Sequence, residues 1–438
     1  MKRLLKQSLF ILYAGFLLLT VSCRDDSLRE DLEIKESQEG KGDNDNNNNE
    51  YIRVVFDPET ALATANCIMI KPGEVTSVPV AKAFAVWEQN QTLFGKKFFP
   101  NGDLGAVLIW ALPNDLIDSE YLEITGYEDI NKATINVKSK PGSIGNAVVA
   151  LTVDGEVRWS WHLWVTDYDP DKDLQPNNLK TGPNMVDGGK VYFYKNNAGD
   201  NIFMDRNLGA NSADKIKGKE THGMYYQWGK KDPLPGFAPP NYFPESHLDF
   251  PDEYRKNNLA YSIEHPDEYI DAAVAADWYT YYKYNYYDDK TYNHDLWGSV
   301  SKRKSIYDPC PEGWRVPSMG MECEYEKFSQ WPEFSPWYIK ESEGQFVDAV
   351  TGNMYDRESP VLGFYPAAGG IWGRGELSEK DKSISLWTVN HLISPYNPNK
   401  LLEESVIGYL NHEIPTNFVS RNKAYPVRCV RYFEEKNK

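Results

Sequence analysis

Between residues 51 and 170 the apolar positions fall in short runs separated by turn residues. Segments 52–56, Cys67–Ile70, 106–110, 134–137, 147–153 and 157–165 are rich in β-branched and aromatic residues, and each has the length of a strand. Pro72-Gly73, Pro141-Gly142 and Asp154-Gly155 supply turns, the last standing between two strong strands as a two-residue hairpin loop does. Strands at this spacing predict a β-sandwich over residues 51–170. Within 157–165, alternation sets Trp159, Trp161 and Leu163 on one face and Ser160, His162 and Trp164 on the other. A linker rich in Asp, Pro and Asn (171–185) leads to residues 186–434, where short strands, long loops and a helix starting at Pro317-Ser318 are expected. Ser318 would cap that helix and Glu322, Tyr325 and Phe328 would follow on it. The fold class expected is mostly β, with a loop-rich α+β second part.

The start of the chain has a different pattern. Lys2, Arg3 and Lys6 precede an apolar run over 9–21, and Ser22-Cys23 follows at once, which is the order of a secretory signal. The run is too short to cross a bilayer comfortably. Residues 19–23 resemble the lipobox of bacterial lipoproteins, with Thr20 in place of the usual Leu. The resemblance implies cleavage after residue 22 and a lipid on Cys23; an ordinary cleaved signal with a chance cysteine is the alternative. Arg24-Asp25-Asp26 resembles the acidic signal that sends lipoproteins of Bacteroides-like bacteria to the outer face, implying an outer-membrane protein turned to the cell exterior. Residues 23–50 have few apolar positions and end in an Asn-rich run, too little to offset ordering entropy. As a flexible tether of about 27 residues they would span roughly 25 to 30 Å.

Composition narrows the partners. The 438 residues are 41% hydrophobic and carry a formal net charge of −17, which opposes nucleic acid and any polybasic contact with a membrane. Anchorage would then rest on the lipid. With 29 Tyr and 13 Trp the chain is rich in rings of the kind found on surfaces that bind sugars or proteins.

Besides Cys23 there are Cys67, Cys310, Cys323 and Cys429, and an exported chain meets oxidising conditions. Cys310 and Cys429 each stand in a strand-like or turn context near an edge of one region and are the expected disulfide pair. Cys67 and Cys323 are expected as buried thiols. His162 has no second His, Cys or carboxylate at metal spacing and reads as a hydrogen-bonded structural histidine. Segments 65–69, 145–148 and 159–168 resemble an immunoglobulin-like module of Bacteroides surface and fimbria-associated lipoproteins, which implies a spacer or adhesion role for the first region.

In the second region the segments 203–210, 223–233, 308–318, 386–388 and 424–430 resemble, in that order, the Fibrobacter succinogenes major paralogous domain over residues 186–433. The resemblance supports the Cys310–Cys429 bridge. The Trp314-Arg315-Val316-Pro317 signature also resembles C-type-lectin-like domains, although neither of that family's calcium-binding triplets occurs, so calcium-dependent sugar binding is not expected. An insertion at 239–302 carries Trp278, Tyr282, Tyr286, Tyr287, Asp288 and Trp297, either a ligand platform with carboxylates for hydroxyls or rings filling the core beneath long loops.

No nucleophile elbow, zinc-protease helix, phosphate loop or Cys-x-x-Cys stands in the sequence, and the glycine-rich 367–375 reads as a turn between strands. No enzyme, cofactor or metal site is expected. The function expected is adhesion or a fimbria-associated binding subunit at the outer membrane, its ligand a surface protein or a glycan and its partners fimbrial subunits. The alternatives are a carbohydrate-binding accessory of glycan uptake and a purely structural surface subunit.

Overall fold

The computed structural model describes residues 58–94, 102–172, 174, 179–195, 202–235, 258–270, 278–279, 295–298, 303–318, 335–337, 347–349, 355–372, 375–393, 401–409 and 416–432. The signal, Cys23, the tether, the strand expected at 52–56, Cys323 and the helix expected after Ser318 lie outside them. The described residues all belong to one compact unit, Asp45–Lys438.

In the first region α1 (Pro58–Ala63), β1 (Cys67–Ile70), β2 (Val75–Pro79), α2 (Ala81–Phe94) and β3 (Leu104–Leu112) are followed by β4 (Glu123–Thr125), β5 (Thr134–Lys138), β6 (Gly145–Val153) and β7 (Glu156–Val165). The five expected strands among the described residues are all present. Four of them form a sheet in the order β1-β7-β6-β3, and the fifth, β5, is the centre of a second sheet, β2-β5-β4, whose outer strands the sequence reading did not expect. β1 runs parallel to β7, while β6 is antiparallel to both β7 and β3. The β6–β7 turn has Asp154 at φ 53° and Gly155 at φ 81°, the positive values that two-residue hairpins prefer.

The helix α2 is an addition to the expected strand pattern. Ala81, Ala83 and Ala85 give it strong helix formers, and Phe84, Val86 and Trp87 are buried with them. Trp87 donates its indole proton to the Arg158 carbonyl at 2.6 Å, which pins the helix to β7, and within the helix its ring meets Phe94 edge-on.

The second region is built of short strands: β8 (Gly182–Val186), β9 (Gly189–Phe193), β10 (Ile202–Met204) and β11 (Tyr225–Gln227), then α3 (Leu259–Glu264) and β12 (Trp314–Arg315). Next come β13 (Val347–Asp348), β14 (Arg357–Ser359), β15 (Gly363–Tyr365), β16 (Gly370–Trp372), β17 (Glu376–Ser378) and β18 (Ser385–Ile393). β19 (Leu401–Tyr409), β20 (Thr416–Ser420), β21 (Ala424–Pro426) and β22 (Val430–Arg431) complete it. The widest sheet here runs β12-β22-β10-β9-β8; the others are β11-β21-β16-β17, β13-β14-β15 and β18-β19-β20. The protein is mostly β.

One apolar cluster runs through both regions, from Trp87, Trp161 and Trp164 to Trp228, Trp278, Trp297 and Trp314. It explains why all nine residues of β6 are buried and why alternation fails to show an outer face on β7. Both faces of these strands are covered.

Candidate functional site

His162 lies at the join of the two regions. Its Nε2 is 2.9 Å from Asn146 Oδ1, while Asn146 Nδ2 donates to the Gly209 carbonyl at 2.8 Å. That arrangement places the ring proton on Nε2 and leaves Nδ1 to accept from the Tyr226 hydroxyl at 3.2 Å. Burial pushes the imidazole down to about 3, so it is neutral. The expected structural histidine is what the fold contains; of its two partners Asn146 lies 16 residues before it and Tyr226 lies 64 residues after it.

Cys67, a buried thiol as expected, pairs by Cα register with His162 across β1 and β7. With Asn146 these are the residue types of a cysteine-protease triad. The chemistry differs: burial drives the thiol far up from its ordinary value, and both ring nitrogens of His162 are already engaged. A thiol held protonated is a poor nucleophile.

Beside it, a buried ion pair of the second region reaches across the same join to Ser160 of β7. Lys231 Nζ lies 2.7 Å from Asp232 Oδ1 and donates to the Ser160 carbonyl, and the Ser160 hydroxyl donates to Asp232 at 2.6 Å. Burial pulls Lys231 down from its ordinary value, and the Asp232 carboxylate opposes that pull. Asn66 donates to the carbonyls of Ile306 and Asp308, both at 2.8 Å, and Arg158 of β7 meets Glu264 of α3 at 2.8 Å. Cys310 and Cys429 are disulfide-bonded with Cα atoms 6.1 Å apart, which ties the segment before β12 to the segment before β22.

The rings of the insertion fall differently from expectation. Trp278 and Trp297 are 0% and 1% exposed, so they are core residues and the ligand-facing reading of these two is corrected. Trp278 donates to the Trp228 carbonyl at 2.7 Å, Trp297 donates to the Lys230 carbonyl at 3.3 Å, and the Trp228 and Trp297 rings lie 5.7 Å apart. An indole needs an acceptor when buried, and each finds a backbone carbonyl. Tyr282, Tyr286, Tyr287 and Asp288 lie outside the described residues.

A cleft of about 350 Å³ opens elsewhere in the second region, between Lys190 and Tyr192 of β9, Asp205 just after β10, the Ala213-Asp214-Lys215 turn, Glu358 of β14 and Phe364 of β15. Asp205 accepts from Arg206 Nε at 2.7 Å and from the Lys190 backbone N–H at 3.1 Å. Lys215 Nζ lies 2.7 Å from Glu358 Oε2, linking the turn to β14. Asp214 accepts from the Ile216 N–H at 3.1 Å, which caps the short 3-10 segment Lys215–Thr221. Tyr192 is half-buried and Phe364 buried, so the cleft combines aromatic with charged lining. Burial raises the Tyr192 phenol, with Asp205 adding to the rise, so its hydroxyl stays protonated at neutral pH.

Sequence reading missed this cleft because its groups are scattered over 175 positions and belong to no motif. The only local signal is the alternation that sets Lys190 and Tyr192 on one face of a five-residue strand. Among the described residues no group of three His, Cys, Asp or Glu gathers as a metal-ligand set. No sequence family, curated protein or solved structure matches the chain.

Proposed function

We propose that the chain is a non-catalytic binding protein of the bacterial cell surface, held at the outer membrane by a lipid on Cys23 and acting in adhesion or as a fimbria-associated subunit. In this reading residues 51–170 are an immunoglobulin-like spacer, and residues 186–434 are a major-paralogous, C-type-lectin-like module that meets the partner.

The observation that carries it is the join between the regions. The tether precedes the first region and the cleft lies in the second, so a load between surface and ligand is shared by the chain that links them and the contacts of His162, Asn146, Lys231, Asn66 and Arg158. Those contacts are buried, hydrogen-bonded and backed by one continuous core, which suits transmission of force better than hinge motion. The sequence signal at Cys23 supplies the anchor.

The test is made on the full chain in a Gram-negative host. The expected result is a membrane-bound protein, cleaved by protease added to intact cells, with a diacylglyceryl and acyl mass increment on the Cys23 peptide. Cys23→Ala should move it to the soluble fraction. An unmodified Cys23, or complete protection from external protease, refutes the reading.

A further inference from the structure

We infer that the cleft around Tyr192 is a binding site for a neutral saccharide; this rests on the binding-protein reading above and names its ligand class. The charges of the cleft cancel in place. Asp205 is matched by Arg206 and Lys215 by Glu358, leaving Lys190 and Asp214, one of each sign. The lining itself holds three carboxylates against two lysines, and Arg206, paired with Asp205 from outside the lining, brings the balance to zero, so neither an anionic nor a cationic ligand meets a surplus of opposite charge. A wholly apolar ligand would strip water from these charges with nothing in return.

A neutral polyol avoids all three penalties. Its hydroxyls donate to Glu358 and Asp214 and accept from Lys190 and Lys215, leaving the Lys215–Glu358 pair intact. Its apolar C–H face has a platform in Tyr192. That ring lies directly against the backbone of Gly363, where a Cβ atom would come within 2.6 Å of Tyr192 Cε2. Gly363 has φ +84°, so the chain here turns in a way that favours glycine, and the absent side chain leaves room for the ring to approach the backbone. A ring held by backbone on one side loses little freedom when a ligand stacks on it. The cleft volume, about 350 Å³, falls at the small end of small-molecule sites and suits a mono- or disaccharide unit.

The experiment uses the full chain and a panel of neutral hexose and N-acetylhexosamine di- to tetrasaccharides. Sialylated, sulfated and uronic saccharides and blocked tripeptides run beside them, read by array and calorimetry. The expected result is saturable binding of a neutral saccharide, weakened about ten-fold or more by Tyr192→Ala and kept within about three-fold by Tyr192→Phe, at unchanged melting temperature. If Tyr192→Ala fails to fold, Glu358→Gln replaces it, with the same loss expected. Neutral-saccharide binding that ignores both substitutions overturns the site. Binding of the charged saccharides or the peptides alone overturns the ligand class. A blank panel overturns the inference too. In that case capture of a surface partner by the intact chain still leaves the adhesion reading standing, and failure of both removes it.

Discussion

The Tyr226 hydroxyl meets His162 Nδ1 at 3.2 Å, one buried hydrogen bond joining β11 of the second region to β7 of the first. Because the folded imidazole is held down to about 3 while an unfolded one titrates near ~6.5, the unfolded chain takes up the proton first. The contribution of this site is therefore complete above about pH 6.5 and falls by ~1.4 kcal/mol per unit as pH drops toward 3. Urea unfolding at pH 7 and pH 5 should show wild type losing about 2 kcal/mol more than His162→Gln. His222, pushed down to about 4 by burial, acts in the same sense but is common to both chains. Equal losses would mean that the ring is charged or exposed in the folded protein.

The Cys310–Cys429 bridge closes a loop with a sequence separation of 119. Removing it by Cys429→Ser should cost ~4–5 kcal/mol through restored freedom of the unfolded chain. Peptide mapping without reductant should recover the two half-cystines in one fragment. Cys67, buried and protonated, should resist alkylation until denaturant is added. Rapid labelling of Cys67 in the native chain would contradict its placement.

Trp278 serves as the control for the aromatic insertion. Its ring is fully buried and hydrogen-bonded to the Trp228 carbonyl, so Trp278→Ala should destabilise the fold by ~3–5 kcal/mol. Calorimetry would register that as a large drop in melting temperature. An unchanged melting point with lost ligand binding would return this ring to the surface.

Gly363→Ala tests the seat of Tyr192. A methyl group there meets the tyrosine ring, and the backbone sits at a φ that costs an L-residue ~1–2 kcal/mol. The expected variant folds with reduced stability and binds any ligand of the cleft more weakly than wild type. Retention of full affinity would separate the ring's position from recognition.

The strands of the first region were legible because their apolar runs are bounded by turn residues, and Asp154-Gly155 adopts the conformation its composition favours. The disulfide was legible from chain context. α2 was not, because Ala81–Phe94 packs nearly all round in its first half and so lacks a one-sided stripe. Nor could alternation distinguish a solvent face on β7 from a second buried face, since Ser160 and His162 satisfy their polar groups on Asp232 and Tyr226, residues far along the chain. The Trp278 and Trp297 rings illustrate the same limit: a run of aromatics has one composition whether it meets a ligand or a core. Only the carbonyl acceptors of Trp228 and Lys230 decide for the core, and those are set by tertiary contact.

The sheet order β12-β22-β10-β9-β8 places Val430–Arg431 between strands that precede it by more than a hundred residues. β10 at Ile202–Met204 pairs with β9 on its other side, but β12 at Trp314–Arg315 has no ladder to β10 and joins the sheet only through this insert. During synthesis β12 therefore cannot join this sheet until residue 431 has been delivered. A ribosome stalled earlier, or a nick that frees these residues, would yield a product whose widest sheet is split in two. A strand of two residues thus makes the attachment of β12 conditional on the last part of the described chain.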